Sequence, residues 1–230
     1  MTWSRTTLRI LLSLAGGVTV LLANSVTAAA PAGDWQNLLN ATDLSQWRGY
    51  QQTDTPAGWQ LRDGVLTRVA AAGDLITVAQ FSDFELELDW RVAAGGNSGV
   101  FFHATETQPY IFMSAPEMQI LDDAAHVDGR NPLTSAGSNY ALHAAARGIV
   151  RGAGQWNEAR LRVAGGHVQQ WLNGVQIIDY QLGSDDWLAR VAASKFSAWP
   201  AYGRAGSGHI GLQDHGDEVG FRNIRIRHLP

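Results

Sequence analysis

Residues 83–92, DFELELDWRV, alternate without a break: Phe84, Leu86, Leu88, Trp90 and Val92 are apolar, and Asp83, Glu85, Glu87, Asp89 and Arg91 are charged. Side chains on a strand point to opposite faces in turn, so this period of two specifies an antiparallel strand with one face on a core and the other in water. Such a strand needs partners. The spacing predicts them over residues 59–62, 65–69, 139–143, 156–163, 167–172 and 175–180. Asp63-Gly64 and Asn173-Gly174 tolerate left-handed backbone and predict two tight hairpins. Many short strands and few helical periods indicate an all-β sandwich of two antiparallel sheets. One short helix is expected over residues 185–193, with Ser184 as its cap, Asp185 and Asp186 at its positive end, and Lys195, the only lysine, just past it. Near the C-terminus the apolar phase switches from Val219 and Phe221 to Ile224 and Ile226, which predicts a bulge at Arg222-Asn223 and an Arg222 re-aimed toward a functional face.

The first thirty residues read as an export signal: Arg5 and Arg9 form a basic start, residues 10–22 are an apolar run short for a membrane span, and residues 25–30 are small. A membrane anchor is the competing reading of that run. The signal holds two of the 17 basic residues and none of the 21 acidic ones, so the mature chain carries 15 against 21, a net of −6. Nucleic acid and anionic membrane are poor partners for such a chain. The chain has no cysteine, which excludes disulfides, thiolate catalysis and cysteine lipidation. A periplasmic or secreted protein is expected, with residues 31–230 as one domain of a size suited to a single β core.

Residues 97–123 hold two further strands with polar groups away from the core. Alternation puts Met118 and Ile120 inward and Glu117 and Gln119 together on the other face; it likewise puts Val100 and Phe102 inward and Gly99, Phe101 and His103 outward. Residues 209–215, HIGLQDH, repeat the device, with Ile210 and Leu212 inward and His209, Gln213 and His215 outward across the gap at Gly211. A shallow trough is expected over these glycines. Its His, Gln and Glu content suits sugar binding or acid/base work.

Nine blocks in order, LLNATDLSQW (38–47), GWQLRDGVL (58–66), FSDFELELDWRV (81–92), NSGVFF (97–102), EMQILD (117–122), GQWNEARLRV (154–163), WLNG (171–174), GHIGLQDHG (208–216) and FRNIRI (221–226), resemble the bacterial 3-keto-disaccharide (3-keto-glycoside) hydrolase family. The resemblance implies a concanavalin-like β-sandwich, a jelly roll akin to laminin-G-like domains, and an oxidised 3-keto sugar as substrate. The sequence departs from the family at His103, where many members carry an arginine.

The implied chemistry is elimination and hydration. A C3 ketone acidifies the C2 hydrogen, so the enzyme must supply a base, a stabiliser for the enolate and an acid for the leaving oxygen. Ordinary glycosidases use two flanking carboxylates instead. Glu117, beside apolar Met118 and Ile120, is the expected base, since partial burial raises proton affinity. His215 is the first candidate acid and His103 the second. Gln119 and Gln213 are expected to pair with hydroxyls, Asn97 and Ser98 to offer backbone donors, Trp156 to stack on a sugar face, and Lys195 and Arg222 to meet the enolate or a hydroxyl. Asp122 and Asp214 are expected in strand-end or turn roles. No cofactor is expected: Asp122, Asp123, His126 and Asp128 form only a loose cluster without HExxH or EF-hand spacing, although calcium is common in concanavalin-like sandwiches. The alternative is a non-catalytic carbohydrate-binding module on the same scaffold. The linkage cleaved and the oligomeric state have no signature in the pattern.

Overall fold

The computed structural model describes Met1, residues 32–40 and residues 42–230; the export signal expected over residues 1–30 lies, but for Met1, outside the described residues. Thirteen strands and one α-helix are described: β1 (Gln36–Asn37), β2 (Trp47–Gly49), β3 (Trp59–Arg62), β4 (Val65–Arg68), β5 (Leu75–Thr77), β6 (Phe84–Val92), β7 (Asn97–Ala104), β8 (Glu117–Leu121), β9 (Asn157–Ala164), β10 (His167–Leu172), β11 (Val175–Gln181), α1 (Asp185–Ala192), β12 (His209–Leu212) and β13 (Val219–His228). They form two antiparallel sheets. The larger runs β11-β10-β9-β6-β13-β4-β3, with β1 also paired to β13, and the smaller runs β2-β5-β12-β7-β8. The all-β sandwich expected from the sequence is the observed architecture.

Strand β6 lies near the middle of the larger sheet, where its alternation is used on both faces. Phe84, Leu86, Leu88, Trp90 and Val92 are buried against Val100, Phe102, Met118, Ile120, Ile210 and Leu212 of the smaller sheet. Each such side chain contributes about 1.5–3 kcal/mol on leaving water. On the outer face the acids of β6 meet the arginines of β13: Asp89 with Arg222 at 3.0 Å, Glu87 with Arg225 at 2.5 Å, Glu85 with Arg227 at 2.5 Å. These are register pairs, worth about 0.2–1 kcal/mol each when opposite in charge.

Both hairpin turns adopt left-handed backbone at the expected residues, Asp63 (φ 51°) with Gly64 (φ 73°) and Asn173 (φ 49°) with Gly174 (φ 82°). The expected bulge also occurs: the β13 register shifts between Arg222 and Arg225, with Asn223 at φ 53°, so Phe221 and Ile224 both reach the core. Arg222, however, stays on the outer face of the larger sheet, bonded to Asp89 and lying 4.1 Å over the ring of Trp156. The same stack, with Arg91 at 4.8 Å, holds Trp156 there. Neither faces the trough.

The helix spans Asp185–Ala192, and Ser184 Oγ accepts a bond from the Trp187 N–H at 3.2 Å. Residues 139–143 are not a strand. Asn139 makes isolated bridges to Met118 and His143, and Ala141 takes a left-handed φ of 61°. The segment covers the open edge of β8: Gln119 N–H donates to Ser138 O, Gly137 N–H to Gln119 O and Tyr140 N–H to Glu117 O, at 2.8–3.0 Å. Irregular backbone here satisfies an edge that would otherwise be free to pair with another chain.

Candidate active site

Alternation holds on β8, and on β7 as far as Phe102, and it delivers Glu117 and Gln119 to the outer face of the smaller sheet. That face is not a solvated trough. The gap at Gly211 is filled by Ile111, whose Cδ1 would lie only 2.5 Å from a β-carbon there, and Ile111 packs with Ile76, Phe101, Ala104 and Ala115 in a second small core. The gap at Gly99 is filled by Glu117, since a Cβ there would overlap Oε1 and lie 2.8 Å from Cδ. The glycines make room for the protein's own side chains.

What remains open is a cleft of about 150 Å3 lined by Asn97, Phe112, Glu117, Gln119, Tyr140, Lys195, Gln213 and His215. Six of the expected site residues are therefore together. Glu117 is 6% exposed, and burial, opposed by the charge of Lys195 and helped by Asp74 and Asp128, pushes its carboxyl pKa up to about 8. With its amide nitrogen toward the strand, Gln119 donates to the Ser98 carbonyl and to Glu117 Oε1, both at 3.1 Å; turned the other way, the nitrogen faces Asn97 Oδ1 at 3.4 Å. The first orientation satisfies both groups, which makes Gln119 a partner of the carboxylate. Gln213 is tied to β7 by its N–H to Gly99 O at 3.0 Å, and among the described residues its buried Oε1 has no partner. An acceptor left open at a cleft suits a ligand hydroxyl.

Lys195 reaches the cleft because α1 ends at Ala192 and Ser194, whose Oγ accepts from Phe196 N–H at 3.1 Å, starts a 3-10 turn over Lys195–Ala198. Its Nζ lies 4.4 Å from the centroid of Tyr140, 5.3 Å from Phe196 and 5.8 Å from Phe112. Three ring faces hold the ammonium in place. Tyr140 donates to Asp128 Oδ2 at 3.4 Å, and burial, with Asp128 and Glu117, pushes its pKa up to about 12, so it stays a neutral phenol. His215 is exposed at the mouth, edge-on to His126 at 6.5 Å.

His103 is not in the cleft. The β7–β12 register shifts opposite it, its φ is 52°, and the ring turns to the core edge, packing on Phe84 and Phe102 with Nε2 bonded to Ser82 O at 2.7 Å. Burial lowers its pKa, which favours the neutral ring, and the ring does not line the cleft. Ser98 faces away from the cleft and donates to Gln213 O at 2.9 Å, bracing β12. His209 lies toward β5, with Nδ1 2.7 Å from Thr77 O. Asp122 accepts from Gly95 N–H at 2.8 Å, and Asp214 from Ala72, Gly73 and Gly216 N–H and from Arg68, the turn roles expected of them. Among the described residues, no three or more His, Cys, Asp or Glu side chains converge as a metal site, and Asp122 and Asp123 are taken up by backbone amides.

Phe112 and Tyr140 were not legible as site residues. Phe112 sits in a segment without periodicity, and Tyr140 in a stretch that reads as a strand; no linear signal marks either. A larger hollow of about 670 Å3 lies on the outer face of the other sheet, but its Arg225 and Glu87 are paired and its Trp171 lies under Arg160. None of the candidate acid/base groups lines it.

Residues 34–227 match the family model described as the 3-keto-alpha-glucoside-1,2-lyase-like domain. A 3-keto-disaccharide hydrolase of Bacteroides thetaiotaomicron is 33% identical over 239 residues, covering 90% of this chain and 82% of that protein. A crystal structure of a candidate glycosyl hydrolase from Parabacteroides distasonis superposes with a TM-score of 0.79 at 33% identity, over 86% of this chain and 94% of the other. A Bacillus subtilis protein with a galectin-like fold gives 0.56 at 16% identity, covering 88% and 99%, which is a likeness of fold alone.

Proposed function

The chain belongs to the 3-keto-alpha-glucoside-1,2-lyase-like family, and from that premise we propose that it hydrolyses the C1–O bond of 3-keto-glycosides by elimination and hydration. The observation that carries this reading is the buried Glu117 carboxyl, with a pKa near 8, in the same cleft as Lys195 and His215. A binding module needs no such group.

In the first step Glu117 takes the C2 proton, and the C–H electron pair moves into the C3 carbonyl to give an enolate held by the Lys195 ammonium. The enolate then re-forms the ketone and a C1–C2 double bond as the C1–O bond breaks. The departing oxygen takes a proton from His215. Water adds to C1 and loses a proton to His215, while Glu117 returns its proton to C2, so the net change is one water consumed per glycoside. Gln119 orients the carboxylate, and Gln213 Oε1 accepts a substrate hydroxyl.

Release outside the cytoplasm is part of the proposal; it is supported by Arg5, Arg9, the apolar run 10–22 and the small residues that follow. Among the described residues no helix is long and apolar enough to cross a membrane. Purified protein incubated with 3-keto-trehalose or methyl 3-keto-glucoside should release free 3-keto-glucose, with deuterium from D2O at C2 of the product. Binding of unmodified glycans with no release from keto-sugars would support the carbohydrate-binding module instead.

A further inference from the structure

We infer that the aromatic strip formed by exposed Tyr110 and half-buried Phe112 is a leaving-group subsite for flat, apolar-faced groups, aryl aglycones in particular; the inference rests on the reaction proposed above. Three observations lead to it. The cleft of about 150 Å3 is roughly half the ~300 Å3 lower bound for small-molecule pockets, so it takes one ring and leaves the rest of a glycoside on its rim. Phe112 is both a wall of that cleft and the inner member of a stacked pair: the Tyr110 ring lies 5.5 Å from it at an interplanar angle of 6°, and Trp199 meets its edge at 5.3 Å. Tyr110 is 58% exposed, and among the described residues it is the only Phe, Tyr or Trp that is exposed.

The strip is rigid. Ile111 between the two rings is fully buried in the space left by Gly211, and the next residues close a 3-10 turn, with Ser114 N–H bonded to Ile111 O at 3.1 Å. The preceding loop is pinned as well: Tyr50 OH donates to Thr105 O and Gln108 O, and Arg48 holds Glu106 through two bonds of 2.7 Å. An aromatic face held this way gains contact area on binding with little loss of freedom.

The neighbouring polar groups favour an aryl group over a second sugar. Glu106 is committed to Arg48 and the Gln51 N–H, and the Gln51 amide to Glu106 O and Gln108 O. A pyranose would meet a Glu106 carboxylate and a Gln51 Nε2 already bonded within the protein, whereas an aryl ring needs only the face. His215, at the same mouth, is placed to protonate the oxygen that joins sugar and aglycone.

The test compares phenyl and methyl 3-keto-glucosides of the same C1 configuration. The ratio of kcat/KM values, phenyl over methyl, should fall about three- to tenfold in Tyr110→Ala, the size of one aromatic stacking contact, and stay near wild type in Tyr110→Phe. An unchanged ratio overturns the subsite. Calorimetry on Glu117→Gln protein gives a readout free of turnover: it should bind phenyl glucoside more tightly than methyl glucoside, and adding Tyr110→Ala should abolish the preference. No preference, or one that survives the substitution, overturns the inference. Absence of wild-type turnover would sink the proposed reaction, and the binding comparison would still decide the subsite.

Discussion

The carboxyl group of Glu117 lies over the backbone of Gly99, in the volume that a β-carbon would occupy. The two strands are paired, with Gly99 opposite Gln119 and Phe101 opposite Glu117, so the carboxylate folds back diagonally across its neighbour. This position is what buries it, and burial is the main cause of its raised pKa.

Gly99→Ala therefore acts on the base without touching it chemically. The alanine methyl forces the carboxylate off its site, and a displacement of that size costs about 10²-fold in turnover. We expect kcat to fall by that factor while circular dichroism and the unfolding transition stay close to wild type.

The pH dependence follows from the same carboxyl group. Glu117 must be ionised to accept the C2 proton, so kcat/KM should rise with pH along a limb with an apparent pKa of about 8. The positive charge of Lys195 holds that pKa down. Lys195→Met should move the limb to higher pH and, by removing the enolate's stabiliser, lower kcat about 10²–10³-fold. Initial rates from pH 5 to 10 check both.

Stability should run the other way. The folded-state pKa of Glu117 lies above its unfolded value of 4.5, so between about pH 4.5 and 8 the folded protein keeps a proton that the unfolded chain has released. That contribution is complete below pH 4.5 and is lost as pH rises to 8. Glu117→Gln removes the ionisation, and in urea titrations its advantage over wild type should grow across this window to on the order of a few kcal/mol, while turnover disappears.

The two histidines first considered as acids separate cleanly. His215→Gln should cost about 10²–10⁴-fold in kcat, the usual range for a general acid. His103→Asn, which suits the left-handed backbone at that position, should keep kcat/KM within about twofold and lower the melting temperature by a few degrees through lost packing on Phe84 and Phe102. Steady-state kinetics beside thermal melts distinguish them.

Period-two patterns and turn chemistry were enough to determine most strands of the sandwich, though not the short β1, β2 and β5, together with both hairpins, the single α-helix and the bulge in β13, because each depends on neighbours within a few residues. The same local rule placed Glu117 and Gln119 on one face and gave Gln213 and His215 the outward phase of their own segment. Tertiary structure alone decided which outward side chains meet. A bulge turned His103 to the core edge, ion pairs with β6 kept Arg222 and Trp156 on the opposite sheet, and Tyr140 and Phe112 arrived from segments with no period to read. Alternation fixes the side of a sheet on which a residue stands; what covers that side is set by the packing of distant loops, and here those loops reduced an expected open trough to a one-ring cleft.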